Sequence, residues 1–223
     1  MSSAVSKTSI DALGERLRAS NLADDDLRQL DAYRRTFADA YESVIGAVRG
    51  LGLEPTGRPA KSTSAIVAKL ARETMRLSQM QDIAGCRLIV DDAVTQDKVV
   101  HGLTSLFDKA VVSDRRARPS HGYRAVHVVA MIDGRAVEIQ VRTTLQHLWA
   151  EYSEKFSDVW GSELKYGVGH PGILAVLENC SMLVAAVENH ELATPPVKVL
   201  EMKQDVHGMM QNFIRDLSNG AGN

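Results

Sequence analysis

The run Gly122-Tyr-Arg-Ala-Val-His-Val-Val-Ala-Met-Ile-Asp-Gly-Arg-Ala-Val-Glu-Ile-Gln-Val-Arg142 constrains the fold more than any other stretch, because its side chains alternate about a single Asp133-Gly134 pair. Both central residues of a tight hairpin turn need positive φ, and Asp-Gly between β-branched flanks supplies it at least steric cost. A two-residue turn fixes the register: Ile132 faces Arg135, Val129 faces Glu138, His127 faces Gln140 and Ala125 faces Arg142, with Tyr123 extending the row. Opposed residues share a face. One face then carries Tyr123, His127, Glu138, Gln140 and Arg142, and the other carries Val126, Val128, Ala130, Ile132, Val137, Ile139 and Val141 as core. The plain alternative for the polar side is a solvated sheet face. Against it, a phenol, an imidazole, a carboxylate and a guanidinium converge where Lys, Glu and Thr would be usual.

The remaining sequence sets bounds. With 223 residues and 44% hydrophobic content the chain can bury a sizeable core. A net charge of −2 gives no global attraction for nucleic acid, so an RNA would have to meet the local patch Arg115, Arg116 and Arg118. Cys86 and Cys180 form no CxxC pair and read as buried thiols. No apolar run is expected to reach bilayer length, and the opening Met-Ser-Ser-Ala-Val-Ser-Lys lacks a signal-peptide core, so a cytoplasmic chain without membrane contact is expected.

Three parts are expected: an N-terminal segment 1–23, a domain 24–160 and a helical extension 161–223. Helical spacing over 24–49 predicts one long amphipathic helix, followed by a Pro/Gly/Ser loop that ends in a helix cap and a short helix over 65–77. A buried strand over 84–90, a helix over 94–107 and a short strand over 110–112 lead into the basic loop and the hairpin. Thr143 or Thr144 caps the next helix. Beyond a Gly-rich break at 161–172, helices over 173–192 and 197–217 flank Pro195-Pro196, and the last five residues fray.

Two clusters suggest anion chemistry. Arg58-Pro-Ala-Lys61-Ser-Thr-Ser64, with Lys69 and Arg72 further in, gathers cations, hydroxyls and free helix N–H groups as a polyphosphate would need. Its plain reading is a cap and a solvated face. Asp82-Ile-Ala-Gly-Cys-Arg87 places a carboxylate before a buried strand and a guanidinium inside it, where Arg87 needs an anion. Asp82 with Glu138 offers two oxygen ligands of the kind Mg²⁺ accepts beside a nucleotide phosphate. No P-loop occurs, and His147 and Glu151 are not in a His-Glu-x-x-His frame.

Together, Lys61-Ser-Thr-Ser-Ala-Ile-Val-Ala-Lys-Leu-Ala-Arg72, Asp82-Ile-Ala-Gly-Cys-Arg87, Gly122-Tyr-Arg-Ala-Val-His127 and Val137-Glu-Ile-Gln-Val-Arg-Thr143 resemble, in order and spacing, the synthetase domain of RelA/SpoT alarmone synthetases. The resemblance covers about 33–156. It implies an α+β fold, a mixed β-sheet flanked by helices in the manner of nucleotidyltransferases, here with a C-terminal helical extension. It also implies transfer of the β,γ-pyrophosphate of ATP to a ribose 3′-hydroxyl with Mg²⁺. Carried over by residue, Arg58, Lys61, Ser64, Lys69 and Arg87 would bind ATP. Asp82 would hold Mg²⁺, and Glu138 would bind Mg²⁺ or take the hydroxyl proton. Tyr123 would stack on the acceptor base, while His127, Gln140, Arg142 and the loop arginines Arg115, Arg116 and Arg118 would position the acceptor.

Two departures stand out. Arg58 precedes Lys61 by three positions where the family usually shows two, and Arg118-Pro-Ser-His121 replaces the Pro-Lys-x-Asn of long synthetases. The latter, with Leu-Gln-His-Leu-Trp-Ala-Glu-Tyr-Ser-Glu-Lys downstream, looks more like the toxic small alarmone synthetases of toxin–antitoxin and phage-defence systems. That resemblance implies a translation-inhibiting enzyme acting on the 3′-CCA end of tRNA, with a neutralising antitoxin or a second copy of the chain as partner. The alternatives are synthesis of (p)ppGpp or (p)ppApp from guanine or adenine nucleotides, and an inactive nucleotide- or RNA-binding module.

Overall fold

Asp133 and Gly134 both have positive φ, 49° and 75°, so the chain reverses in the two-residue turn that Asp-Gly favours. The computed structural model describes residues 6–19, 22–190 and 196–220; the ends of the chain and Pro195 lie outside them. In order come α1 (Lys7–Arg18), α2 (Asp24–Arg35), α3 (Ala38–Gly50), β1 (Thr56–Arg58), α4 (Thr63–Arg72), a 3₁₀ turn at Leu77–Gln79 and β2 (Ala84–Val90). There follow α5 (Ala93–Leu106), β3 (Val111–Asp114), the hairpin β4 (Val126–Ile132) and β5 (Arg135–Thr143), α6 (Thr144–Trp160), a 3₁₀ turn at Leu164–Tyr166, α7 (Pro171–His190) and α8 (Pro196–Gly220).

The strands form one mixed five-stranded sheet in the order β1-β2-β5-β4-β3 with helices around it, the α+β class expected. Side chains pointing to both faces of β4 are covered for much of its length: Val126 to Ala130 are all buried. The solvated-face alternative therefore fails for His127 and Arg142, which are 6% and 5% exposed. The row of residues also ends earlier than expected. Tyr123 lies outside β4, in a turn bridged to Ser120, where His121 and Gly122 have φ of 50° and 86°.

The chain divides into two compact units, each discontinuous in sequence. The first comprises the described residues of Met1–Leu88 with Gly102–Val112 and Val128–Gln140. Its core gathers Leu13, Leu17, Leu30, Ile66, Leu70, Leu77, Ile83, Leu88 and Ile139. Helix α1, expected only as a terminal segment, buries Ile10, Leu13 and Leu17 on one stripe. Its Arg18 donates through Nε to the Leu70 carbonyl at 2.8 Å and through Nη2 to the Met75 carbonyl at 2.7 Å, satisfying acceptors at and beyond the end of α4. The long helix over 24–49 is in fact two. At the break the Thr36 hydroxyl donates to the Tyr33 carbonyl at 2.7 Å, and the Tyr33 and Phe37 rings, 5.2 Å apart, lie under the Arg135 guanidinium.

The segment read as a loop before α4 contains β1, which pairs antiparallel with β2: Thr56 with Arg87, Gly57 with Cys86, Arg58 with Gly85. On its other side β2 meets β5. A Cβ on Gly85 would stand 2.6 Å from the Glu138 carbonyl oxygen, a backbone atom that cannot step aside. Gly85→Ala is therefore expected to lower stability by about 1–3 kcal/mol, read as a shifted denaturant midpoint; an unchanged midpoint would contradict this account of β2 against β5.

The second unit comprises Ile89–His101, Ser113–His127 and the described residues of Val141–Asn223. In it Thr143 caps α6 by accepting from the Gln146 N–H at 3.1 Å, while the Gln146 side chain reaches back to the Thr143 N–H. Leu145, Leu148, Trp149, Tyr152 and Phe156 of α6 meet Leu177, Val184 and Val187 of α7 and Val206 and Met210 of α8. One expectation needs amending. Pro171–Asn189 is long and apolar enough to cross a membrane, with a mean hydropathy of 1.4. Its inward stripe nonetheless includes the polar Ser181 and Glu188, which hydrogen-bond to groups of the same unit. Cys86 is buried, its thiol pushed up to about 11 by burial, whereas Cys180 is only half-buried.

Candidate functional site

Each unit brings together one group of the expected residues. In the first, Ser62 caps α4 by accepting from the Ala65 N–H at 3.3 Å, and the helix turns Lys69 toward the segment ahead of β2. Lys61, 8% exposed, enters from the other side, its backbone N–H on the Ile83 carbonyl at 2.7 Å. Both ammonium groups close on Asp82: Lys61 Nζ to Oδ2 at 2.5 Å and Lys69 Nζ to Oδ1 at 2.9 Å. Arg58 Nη2 lies 3.4 Å from the Asp82 carbonyl.

Electrostatics follow from the count of charges. Burial pushes the Asp82 carboxyl up, but the hydrogen bond from Lys61 and the charges of Lys61 and Lys69 outweigh it and hold the group below its usual value. Lys61 has one anion and a neighbouring cation, so for it burial prevails and its ammonium is held below the usual lysine range. Two cations against one carboxylate leave the cluster net positive. An ammonium carries three N–H donors, and the Asp82 contact uses one from each lysine; the others suit an anion.

In the same unit Glu138 is half-buried on β5 between the buried Val137 and Ile139, and its Oε2 accepts from Gln140 Nε2 at 2.7 Å. Arg87 is half-buried on β2, and Ser64 is exposed at the start of α4, 3.3 Å from the Ser62 hydroxyl. Among the described residues no three His, Cys, Asp or Glu side chains gather as a metal cage. Mg²⁺ does not need such a cage, since it keeps most of its waters and shares the rest of its shell with phosphate.

The second unit assembles Tyr123, His127 and Arg142. Arg142 Nη2 donates to the Tyr123 hydroxyl at 2.9 Å, and that hydroxyl lies 2.9 Å from His127 Nε2. The Arg142 guanidinium carbon stands 5.0 Å and that of Arg115 6.0 Å from the centre of the Tyr123 ring. Gly122 makes this possible, because with φ of 86° a Cβ there would stand 2.6 Å from the Trp149 ring.

The basic patch is smaller than its sequence suggests. Arg116 pairs with Asp97 at 2.7 Å and Asp114 at 2.7 Å, its charge answered within the fold and its pKa driven up first by the hydrogen bonds it donates to Asp114. Arg118 is exposed, and His147 pairs with Glu151 at 3.7 Å along one face of α6. Sequence reasoning missed Arg124, which donates through Nε to the Ser181 hydroxyl at 2.9 Å; only its position beside Tyr123 hinted at it.

With this geometry in hand, residues 57–157 match the family described as the region found in RelA and SpoT proteins. In these residues the chain is similar to that family. That region holds every expected site residue from Arg58 to Arg142. Among curated relatives, an uncharacterized protein of Mycobacterium tuberculosis is 39% identical over 111 residues, 48% of this chain and 41% of that one. A probable chloroplastic GTP diphosphokinase of Arabidopsis thaliana is 36% identical over 97 residues, 41% of this chain and 14% of that one. The chain thus spans less than half the length of these relatives. A GTP pyrophosphokinase family protein from Streptococcus pneumoniae has a TM-score of 0.56 at 23% identity, covering 85% of this chain and 98% of that one. Small alarmone synthetase 1 from Bacillus subtilis, bound to its product pppGpp, gives 0.55 at 21%, covering 76% and 96%. At these identities the fold is what is shared.

Proposed function

We propose that the chain is a pyrophosphokinase that moves the β,γ-pyrophosphate of ATP to the ribose 3′-hydroxyl of a purine nucleotide, GDP or GTP. The observation that carries this is the net-positive Lys61–Asp82–Lys69 cluster in a region that matches RelA and SpoT proteins. The curated relative named a GTP diphosphokinase supports the guanine acceptor. In the reaction the 3′-oxygen bonds to the β-phosphorus, the bond from that phosphorus to the α,β-bridging oxygen breaks, and AMP leaves. Lys61 and Lys69 neutralise the donor's phosphates, with Arg58, Ser64 and Arg87 beside them in the chain's donor half. Glu138 takes the hydroxyl proton. Tyr123 and Arg142 hold the acceptor base and phosphates, and His127 fixes the Tyr123 ring through its hydroxyl. Asp82 and Glu138 are the residues that would hold Mg²⁺, which when bound supplies charge neutralisation at the transferred phosphoryl groups. The chain's own work is alignment and a fixed positive field.

A second reading keeps the same chemistry on the 3′-CCA end of tRNA, with a protein antitoxin as partner. It is favoured by Arg115 at the Tyr123 ring and by the exposed Arg118; the pairing of Arg116 with two aspartates weighs against it. Competing GDP, GTP, ATP and deacylated tRNA for label from γ-labelled ATP decides between them. The first reading expects GDP or GTP to be labelled fastest, with a modest salt dependence. Preferred labelling of tRNA, falling steeply with salt and on Arg115→Ala, would replace it with the second.

A further inference from the structure

Helix α7 lies outside the stretch that matches RelA and SpoT proteins, yet its inward stripe does not read as simple core. Leu177, Ser181, Val184 and Glu188 recur at helical spacing and are all buried, at 2%, 1%, 1% and 8% exposure. Two of these four are polar. A buried carboxylate is costly unless it is hydrogen-bonded, and both polar residues find partners that flank the acceptor residues. The Ser181 hydroxyl and carbonyl accept from Arg124 Nε at 2.9 and 3.2 Å, and Arg124 directly follows Tyr123. Glu188 Oε1 accepts from the Thr143 hydroxyl at 2.5 Å and Oε2 from Gln146 Nε2 at 3.0 Å; Thr143 directly follows Arg142.

The Gln146 side chain carries the network on to Gln96, itself fully buried, which donates to the Val141 carbonyl at 2.8 Å just before Arg142. Trp149 Nε1 donates to the Leu177 carbonyl at 2.8 Å, closing the stripe's first turn onto α6. We infer that Glu188 and Ser181 of α7 are positioning residues for acceptor binding: the helix is a splint that holds the segment bearing Tyr123 and the strand end bearing Arg142 in one register, so that the 2.9 Å bond between them survives acceptor binding. The inference rests on the acceptor role of Tyr123 and Arg142 proposed above. It makes the helical extension part of the specificity for the nucleotide acceptor rather than an appendage.

The test is steady-state kinetics of the full chain with ATP and GDP varied in turn. Glu188→Ala is expected to raise the KM for GDP about tenfold, the scale of a small misplacement of binding groups, with the KM for ATP unchanged. Glu188→Gln, which keeps the volume and an acceptor for Gln146, should recover most of the loss. A fall in kcat with both KM values unchanged, or an equal rise in both, overturns the inference as a general structural effect would. Should Glu188→Ala fail to fold, Ser181→Ala removes a single hydroxyl and reads the same constant, with a KM rise for GDP of about threefold expected and no rise overturning the inference. Tyr123→Ala separates the two levels. An unchanged KM for GDP in that variant refutes the acceptor assignment itself, whereas a raised one alongside an unaffected Glu188→Ala refutes only the splint.

Discussion

Glu138→Gln is expected to lower pyrophosphoryl transfer by about 10²–10⁴-fold, the range a positioned general base contributes, while leaving the fold intact. The side chain sits half-buried on β5, flanked by buried Val137 and Ile139, with Gln140 Nε2 donating to it at 2.7 Å. Glutamine has the same shape, and its carbonyl oxygen still accepts that bond. What it loses is the negative charge and the capacity to take a proton. Transfer rates with saturating ATP and acceptor, beside a far-UV spectrum and a denaturation midpoint, measure both halves of the expectation. A folded, fully active variant would remove Glu138 from the chemistry.

Asp82→Asn is expected to reduce both activity and stability. The carboxylate is 13% exposed and answers two ammonium groups, Lys61 and Lys69, themselves 11% and 20% exposed. An amide keeps one carbonyl for one lysine and turns its own N–H donors toward the other. Removing one partner of a buried pair typically costs about 3–5 kcal/mol, because the remaining charge is left uncompensated. The pH dependence has a definite sign. Burial alone would raise the Asp82 pKa, but Lys61 and Lys69 lower it beneath its ordinary 3.8. Its stabilising share is therefore complete above that value and is lost as pH falls through the lowered one. Denaturant midpoints should separate parent and Asp82→Asn widely near neutrality and draw together in acid below 3.8; a gap independent of pH would contradict the pairing.

Where a local rule decides structure, the sequence was legible. The Asp133-Gly134 turn, β2 at Ala84–Val90 and the Thr143 cap of α6 follow from positive φ, apolar continuity and a side-chain oxygen, each visible in a few residues. Long-range competition hid the rest. The helical pattern over 24–49 continues through Thr36, yet the helix ends there, with the Thr36 hydroxyl turned back onto the Tyr33 carbonyl. Strand β1 is three exposed residues whose only cause is pairing with β2.

The site shows the same division. Alternation put Tyr123 in the row of His127 and Arg142, to which its hydroxyl is hydrogen-bonded, and Glu138 beside Gln140, but it did not show the turn at His121-Gly122 that carries Tyr123. Arg116 looked like a free cation although Asp114, one of its two partners, lies two residues before it; the other, Asp97, is remote in sequence. Lys61 and Lys69 were read as a phosphate cradle without Asp82 as their shared acceptor. Glu188 carried no local signal, since its partners lie more than forty residues away, at |i−j| of 45 and 42.

The most direct test of the whole account is the fate of the donor. Incubating the full chain with Mg²⁺, GDP and ATP labelled separately at the α- and γ-phosphates should release AMP in step with product and place the γ label on a guanosine nucleotide that has gained two phosphates. Release of ADP with a single phosphate gained, or ATP left intact with every acceptor, would contradict the pyrophosphokinase reading.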